Sequence, residues 1–359
     1  NEIEWLEKLQ RFLLRDGYKF ENNKLAPVGQ VANFDSLQNA TDLLDKTHFQ
    51  EHIDRIQKSI TTDPSLAIGS TKELVEATLK TILTHLEIEI DKNDFSINLD
   101  GEKIKFDAVF IIIHGSPGED GKLQSYFDLL NIPYTTCDAT TSALTMNKGY
   151  TKAIVNGISG LNVANSIQLF NQDESNVKEI ESQLKLPLFI KPNNGGSSIG
   201  MSKVNDWEDL KEALDKAFAE DSQILVEEFI KGREFTVGVY KANGELVVLP
   251  ITEIISSKEF FDFEAKYTTG ISEEITPANI SGDLKDKVGD IVKASYLKLN
   301  CKGMVRIDFI LQDFTDEFFF IEINTVPGQS ANSIIPQQVR ATGMIMRHFY
   351  TLLINEALA

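Results

Sequence analysis

The chain has 359 residues, 42% hydrophobic and 25% charged, a composition that can bury a globular core and allows about two to four structural units at roughly 150 residues each. Its formal charge of −19, from 54 acidic and 35 basic side chains, argues against nucleic acid as a partner, because a phosphate backbone needs a basic footprint; a nucleotide needs only a few local cations. No apolar run approaches the roughly 20 residues that cross a bilayer, so no membrane contact is expected. Cys137 and Cys301 lack metal or CxxC spacing and read as thiols of a reducing compartment. The polar N-terminus carries no signal-peptide pattern, Asn1 in place of Met marks an incomplete or processed start, and the expected location is cytoplasmic.

In chain order, residues 1–91 read as a helical unit. Helical patterns run over Glu4 to Leu14 and His48 to Ile60. A third starts at Asp63-Pro64, with Asp as cap and Pro at the first position, and carries Leu74, Val75, Leu79, Ile82, Leu83 and Leu86 on one face. His48, His52 and His85 are scattered and read as solvated. From Phe95 the texture changes to strand, Asp100-Gly101 turn, then a continuous apolar run from Phe106 to Ile113 that ends at His114-Gly115. Such a run predicts a parallel strand covered on both faces. Further strands are expected over 186–192, 222–230, 234–240, 245–254, 304–311 and 317–325, with helices at Trp207–Ala219 and Leu284–Leu299. The fold class is α/β (α+β).

Five stretches can carry chemistry. Lys191-Pro-Asn-Asn-Gly-Gly-Ser-Ser-Ile-Gly200 puts a lysine at a strand end before a glycine- and serine-rich loop. Such loops expose amides and hydroxyls to an anion, and the lysine adds a point charge for phosphate; it is not a Walker A loop, and a hairpin or linker remains open as a reading. Arg306-Ile-Asp308 and Glu322-Ile-Asn324 place polar side chains at i and i+2, hence on one face of each strand, with a short turn between them that permits a hairpin. An all-oxygen set of that kind suits magnesium, and Arg306 could stabilise a transferring phosphoryl group; the alternative is a surface ladder of ion pairs. Glu227 to Glu234 could take ribose hydroxyls, with Ile230 against a base, or be a solvated turn. Phe263 to Tyr267 lies in a long loop that invites a lid reading, or is an ordinary surface loop. Asn324 to Ser333 could hold a carboxylate or phosphate, or be an ordinary loop.

The order of these motifs resembles the D-alanine–D-alanine ligases of the ATP-grasp superfamily, from about Asn93 to the C-terminus. The resemblance rests on His114-Gly-Ser-Pro-Gly-Glu-Asp-Gly121, Ser142 to Lys148, the Lys191 loop, Glu227 to Glu234, Glu264-Ala-Lys-Tyr267, Arg306 to Asp308 and Glu322 to Gly328. It implies an ATP-grasp fold of two α+β subdomains, 138–227 and 228–359. These would follow a truncated pre-ATP-grasp α/β unit, 92–137, and the N-terminal helical segment. It implies Lys148, Lys191 and Ser198 at ATP phosphates and Glu227, Ile230 and Glu234 around adenine and ribose. Lys266 would reach the γ-phosphate, and Asp308, Glu322 and Asn324 would hold two Mg2+ (or Mn2+). Arg306 and the Gly328 backbone would stabilise the tetrahedral transition state, His114 would lie near the first D-alanine, and Ser333 would bind the carboxylate of the second. Ser197 and Tyr267 would join a network that closes the loop. The implied reaction phosphorylates one D-alanine and joins it to a second, for peptidoglycan precursors, in a homodimer.

These ligases open with a strand and a glycine-rich turn bearing a Glu-His pair, which residues 1–91 do not contain. Residues 62–83 instead resemble the C-terminal domain of abortive-infection proteins. The competing expectation is therefore an ATP-binding remnant or fusion whose ligase activity is impaired.

Overall fold

The computed structural model describes residues 18–21, 24–27, 89–91, 93–99, 102–173, 175–194, 200–256 and 272–359. They fall into two units, 17–106 and 107–359. The first holds two small sheets. Strands β1 (Tyr18–Glu21) and β2 (Lys24–Pro27) pair antiparallel. Strands β3 (Glu89–Asp91), β4 (Ser96–Leu99) and β5 (Glu102–Ile104) form a meander. Strand β4 agrees with the strand expected from Phe95. The strand pair at 18–27 does not: it lies inside the stretch read as helical. The three helices expected there fall outside the described residues.

In the second unit, α1 (Lys122–Leu130), α2 (Ala139–Met146) and α3 (Lys148–Val155) lead into two sheets. Asn147 ends α2 and caps α3, its side chain accepting from Tyr150 N at 3.0 Å, which places Lys148 at the first turn of α3. Next come β6 (Leu161–Asn162), β7 (Ser166–Leu169), α4 (Ser175–Gln183), β8 (Leu188–Pro192) and β9 (Ser202–Val204). After α5 (Leu210–Phe218) and β10 (Ile224–Glu228), a four-stranded antiparallel sheet is complete in the order β7-β10-β8-β9. Strands alternate sides. Leu188 and Ile190 of β8 and Ile224 and Val226 of β10 therefore pack with α4 and α5 residues such as Ile180, Leu210 and Leu214. Phe189, Lys191 and Glu227 take the opposite face.

The larger sheet is built on β11 (Gly232–Ala242), followed by β12 (Glu245–Val248), β13 (Thr252–Ser256) and β14 (Ser272–Ile275). Then come α6 (Gly282–Lys298), β15 (Met304–Gln312), β16 (Phe318–Asn324), α7 (Ile334–Ala341) and α8 (Met346–Leu358). The order is β14-β13-β11-β15-β16-β6, with β12 also on β11. The expected strand 245–254 is thus two strands, broken around Pro250, which has no N–H to give a ladder. Phe235, Val237, Val305, Ile307 and Phe309 point to a core shared with Val288, Ile291, Val292 and Tyr296 of α6. On the other face, Tyr240 and Met304 lie under α7 and α8. Gly238 meets α7 so closely that a Cβ would sit 2.5 Å from Ile335 Cδ1. Further along this face Glu234, Arg306, Asp308 and Ile310 line a cavity, with Thr236 buried beside Asp308.

The apolar run from Phe106 to Ile113 is not a buried ladder strand. Val109 makes one isolated parallel bridge to Tyr134. Ile111 N then donates to Thr135 Oγ1 at 3.3 Å rather than to a backbone carbonyl, so the pairing stops. Ile111 is buried, whereas Ile112 and Ile113 are 51% and 49% exposed.

Candidate active site

The uncovered faces of the two sheets, with the loops at 114–119 and 324–334, line a cavity of about 830 Å3. That lies within the roughly 300–1,000 Å3 of small-molecule sites.

One wall is cationic. Lys191 leaves β8 beside Glu227 of β10, a diagonal cross-strand neighbour, with Nζ 2.5 Å from Oε2. The other carboxylate oxygen accepts from Lys152 Nζ, which also donates to the Ala164 carbonyl at 2.9 Å. Glu227 is 7% exposed. Burial alone would raise its pKa, but Lys191 and Lys152 hold the carboxyl below its ordinary range; burial pushes the Lys152 ammonium down. Lys148 is tied to the same strand end: its backbone N–H donates to Asn193 O at 3.1 Å, and Gly149 N donates to Asn193 Oδ1 at 2.9 Å. These N–H groups belong to the first turn of α3, where a helix offers them no carbonyl of its own, so Asn193 fixes the start of the helix against β8.

The facing wall is acidic. The hairpin expected from the sequence forms, with Arg306 opposite Asn324 and Asp308 opposite Glu322. Arg306 grips Asp308 in a fork, Nε to Oδ1 at 2.9 Å and Nη2 to Oδ2 at 2.8 Å. Asn324 Nδ2 reaches Oδ2 at 3.3 Å, and Thr236, directly across on β11, donates to Oδ1 at 2.5 Å. Burial alone would lower the pKa of Arg306, but Asp308 and Glu322 raise it above its ordinary value. Lys148 Nζ lies 3.7 Å from Glu322 Oε2, joining the two walls. A bulge follows: Phe309 pairs with Phe320, leaving Ile321 extra. Without it Phe320, two residues before Glu322, would share the polar face; instead it packs edge-on against Phe309 with centroids 6.5 Å apart.

At the mouth, His114 Nδ1 lies 2.7 Å from Val326 O. Glu119 joins the same two loops, accepting from Gly115 N at 2.6 Å and Val326 N at 3.3 Å. A Cβ on Gly328 would lie 2.7 Å from Ser333 Oγ and 4.0 Å from His114 Nε2, so Gly328, Ser333 and His114 are neighbours. Ser333 begins α7 without capping it; its hydroxyl is 2.8 Å from Ser330 Oγ.

Thus His114, Lys148, Lys191, Glu227, Ile230, Glu234, Arg306, Asp308, Glu322, Asn324, Gly328 and Ser333 all line one cavity. Ser197, Ser198, Lys266 and Tyr267 lie outside the described residues. The sequence reading missed Lys152, Asn193, Thr236 and Glu119. Lys152 stands one turn after Lys148, a spacing that could have revealed it; Asn193 and Glu119 lie within quoted motifs but were given no role, and Thr236 has no local pattern. Two carboxylates and an amide suit a hard cation such as magnesium in kind. Asp308 already accepts four hydrogen bonds, as many as its roughly four lone-pair sites. A cation there would take the place of one donor. Among the described residues no three His, Cys, Asp or Glu converge, so the remaining ligands would be Asn324, water and phosphate. No helix among the described residues is long and apolar enough to cross a membrane.

Comparison with known proteins gives the same picture. The family model for the D-ala D-ala ligase C-terminus matches residues 157–355, and that for its N-terminus matches residues 34–137. The second match runs across the border placed at 91/92 from the sequence. The D-alanine–D-alanine ligase of Flavobacterium johnsoniae is 46% identical over 273 residues, 76% of this chain and 83% of the relative. That of Phocaeicola vulgatus is 46% identical over 266 residues, 74% and 81%. Among solved structures, the VanG D-Ala:D-Ser ligase of Enterococcus faecalis superposes with a TM-score of 0.67 at 31% identity, covering 79% of this chain and 84% of that one. The Bacillus anthracis D-alanine–D-alanine ligase complexed with ATP gives 0.60 at 29%, covering 70% and 79%. With a lysine wall facing an Arg-x-Asp/Glu-x-Asn hairpin, and relatives of this identity and coverage, the chain belongs to the D-alanine–D-alanine ligase family.

Proposed function

We propose that this protein joins two D-alanines to D-alanyl-D-alanine at the expense of ATP, as a supply of peptidoglycan precursor. The observation that carries the reading is the single cavity in which a cationic wall, Lys148 and Lys191, faces Arg306, Asp308, Glu322 and Asn324. Anionic phosphates fit the first wall. The second combines a cation with oxygen donors, as phosphoryl transfer requires. The ATP-bound relative from Bacillus anthracis supports the nucleotide assignment.

In the proposed sequence a D-alanine carboxylate oxygen attacks the γ-phosphorus and ADP leaves with the electron pair. The amine of a second D-alanine then attacks the acyl carbon, phosphate departs, and the amine gives up a proton. Glu227 and Glu234 would hold the nucleoside, with Ile230 against the base. Lys148 and Lys191 would hold its phosphates, together with Ser198 and Lys266. Arg306 and the Gly328 amide would offset charge on the tetrahedral intermediate. His114 and Ser333 would orient the two amino acids, and Ser197 and Tyr267 would close the loop. Asp308, Glu322 and Asn324 would hold two magnesium or manganese ions, which supply charge neutralisation at the phosphates. An acyl phosphate in bulk water hydrolyses, so the chemistry needs the enclosure that the two sheets begin to provide. We further propose 138–227 and 228–359 as the two grasping subdomains, and a homodimer as the assembly.

The deciding experiment measures phosphate release with ATP, magnesium and D-alanine. Release that requires D-alanine, with one dipeptide per phosphate, is expected. ATP-dependent thermal stabilisation without D-alanine-dependent release would overturn the ligase reading and leave a nucleotide-binding remnant.

A further inference from the structure

We propose that Lys152 is the positioning residue of the nucleotide site, supplying the surplus positive charge that Lys191 presents to the phosphates. This rests on the nucleotide reading of the same cavity. Lys152 is 3% exposed and does not line the cavity; Lys191, Glu227 and Ala164 do. It stands behind them and holds two, Glu227 by its carboxylate and Ala164 by its carbonyl at 2.9 Å.

The argument is one of charge. Lys191 alone, 2.5 Å from Glu227, would satisfy that carboxylate, and the pair would be neutral. A neutral pair offers little field to a phosphate chain. A second buried ammonium costs desolvation, and the cost shows in the lowered proton affinity of Lys152. With it, the cluster carries two positive charges against one negative. Among the described residues the ion pairs of Lys152 and Lys191 are with Glu227 alone, and Lys191 stands on the side open to the cavity. A structural role would need one lysine; two lysines on one carboxylate fit a site that waits for an anion. The clamp on both Glu227 oxygens also fixes the carboxylate, so Lys191 is held at a set position.

The test is calorimetric titration of ATP, ADP and adenosine into wild type, Lys152→Met and Lys152→Arg, with KM values for ATP and D-alanine alongside. Lys152→Met should bind ATP and ADP roughly ten- to a hundredfold more weakly, the scale of one charged contact. Adenosine should lose much less affinity than ATP, the KM for D-alanine should not change, and Lys152→Arg should recover most of the ATP affinity. Lys152→Gln, which keeps a donor for Ala164, replaces Lys152→Met if the latter does not fold. ATP binding equal to wild type would overturn the proposal. So would adenosine binding lost in parallel with ATP, which marks a merely structural lysine. Wild-type protein that binds no ATP would instead sink the nucleotide reading, and this inference with it.

Discussion

Glu119 is the strut of the amino-acid end of the cavity, and its removal should separate the two halves of the site. Its two oxygens are used separately, one by Gly115 N at 2.6 Å and one by Val326 N at 3.3 Å. A hydrogen bond to a charged group contributes roughly 1.5–3 kcal/mol. The first bond is short, the second is near the geometric limit, and the carboxylate is half-exposed, so Glu119→Ala should cost about 2 kcal/mol. For a unit of this size that lowers Tm by roughly 4–8 °C. The functional loss should be larger, because the loop carrying His114 then drifts from Val326, Gly328 and Ser333, and a displacement of about 1 Å can cost roughly a hundredfold in rate. Lys148 and Lys191 are fixed through Asn193 and Glu227 instead, so ATP should bind as before. Glutamine cannot serve: one of its two ends is an NH2 group, which would meet a backbone N–H. Glu119→Gln should therefore resemble Glu119→Ala. The assay is phosphate release at varied D-alanine and varied ATP, with a thermal melt. An unchanged KM for D-alanine, or an equal rise in both KM values, would refute the reasoning.

Three further outcomes are expected. Phe309→Ala empties a site at which Phe318 and Phe320 meet edge-on; it should cost about 3–5 kcal/mol in a urea titration. Gly328→Ala brings a methyl within 2.7 Å of Ser333 Oγ, which can rotate away, so Tm should hardly move while the KM for D-alanine rises. Glu227 has a native pKa below its ordinary 4.5, so its stabilisation is complete above that pH and is lost as pH falls through the lower native value. The stability gap between wild type and Glu227→Gln should thus be level at neutral pH and close only well below 4.5; a gap that narrows from pH 7 to 5 would contradict the two-lysine clamp.

Much of the site was legible because it is written in strands. The i, i+2 spacing of Arg306-Asp308 and Glu322-Asn324 defines a polar face, and the short turn between them defines the partner, so the pairing could be anticipated, although the bulge at Ile321 that sets the register could not. The strand-end lysine at 191 was visible for the same reason. The apolar run from Phe106 to Ile113 was misread because hydrophobicity states a preference for burial and says nothing of a hydrogen-bonding neighbour. Thr135 Oγ1 takes the N–H of Ile111, and no local pattern announces that. The strand pair at 18–27 is too short to stand out from its surroundings.

By itself the amino-acid sequence carried the resemblance to the family in the order of its motifs, and it determined which side of each strand is polar, since that follows from residue type and a period of two. Only the tertiary structure decided what each polar face meets. Asp308 collects Thr236 from a strand 72 positions away, and Glu227 collects Lys152 from a helix 75 positions away. Glu119 ties Val326 across 207. Those contacts depend on how sheets and helices pack in three dimensions, and chain-local spacing carries no trace of that packing.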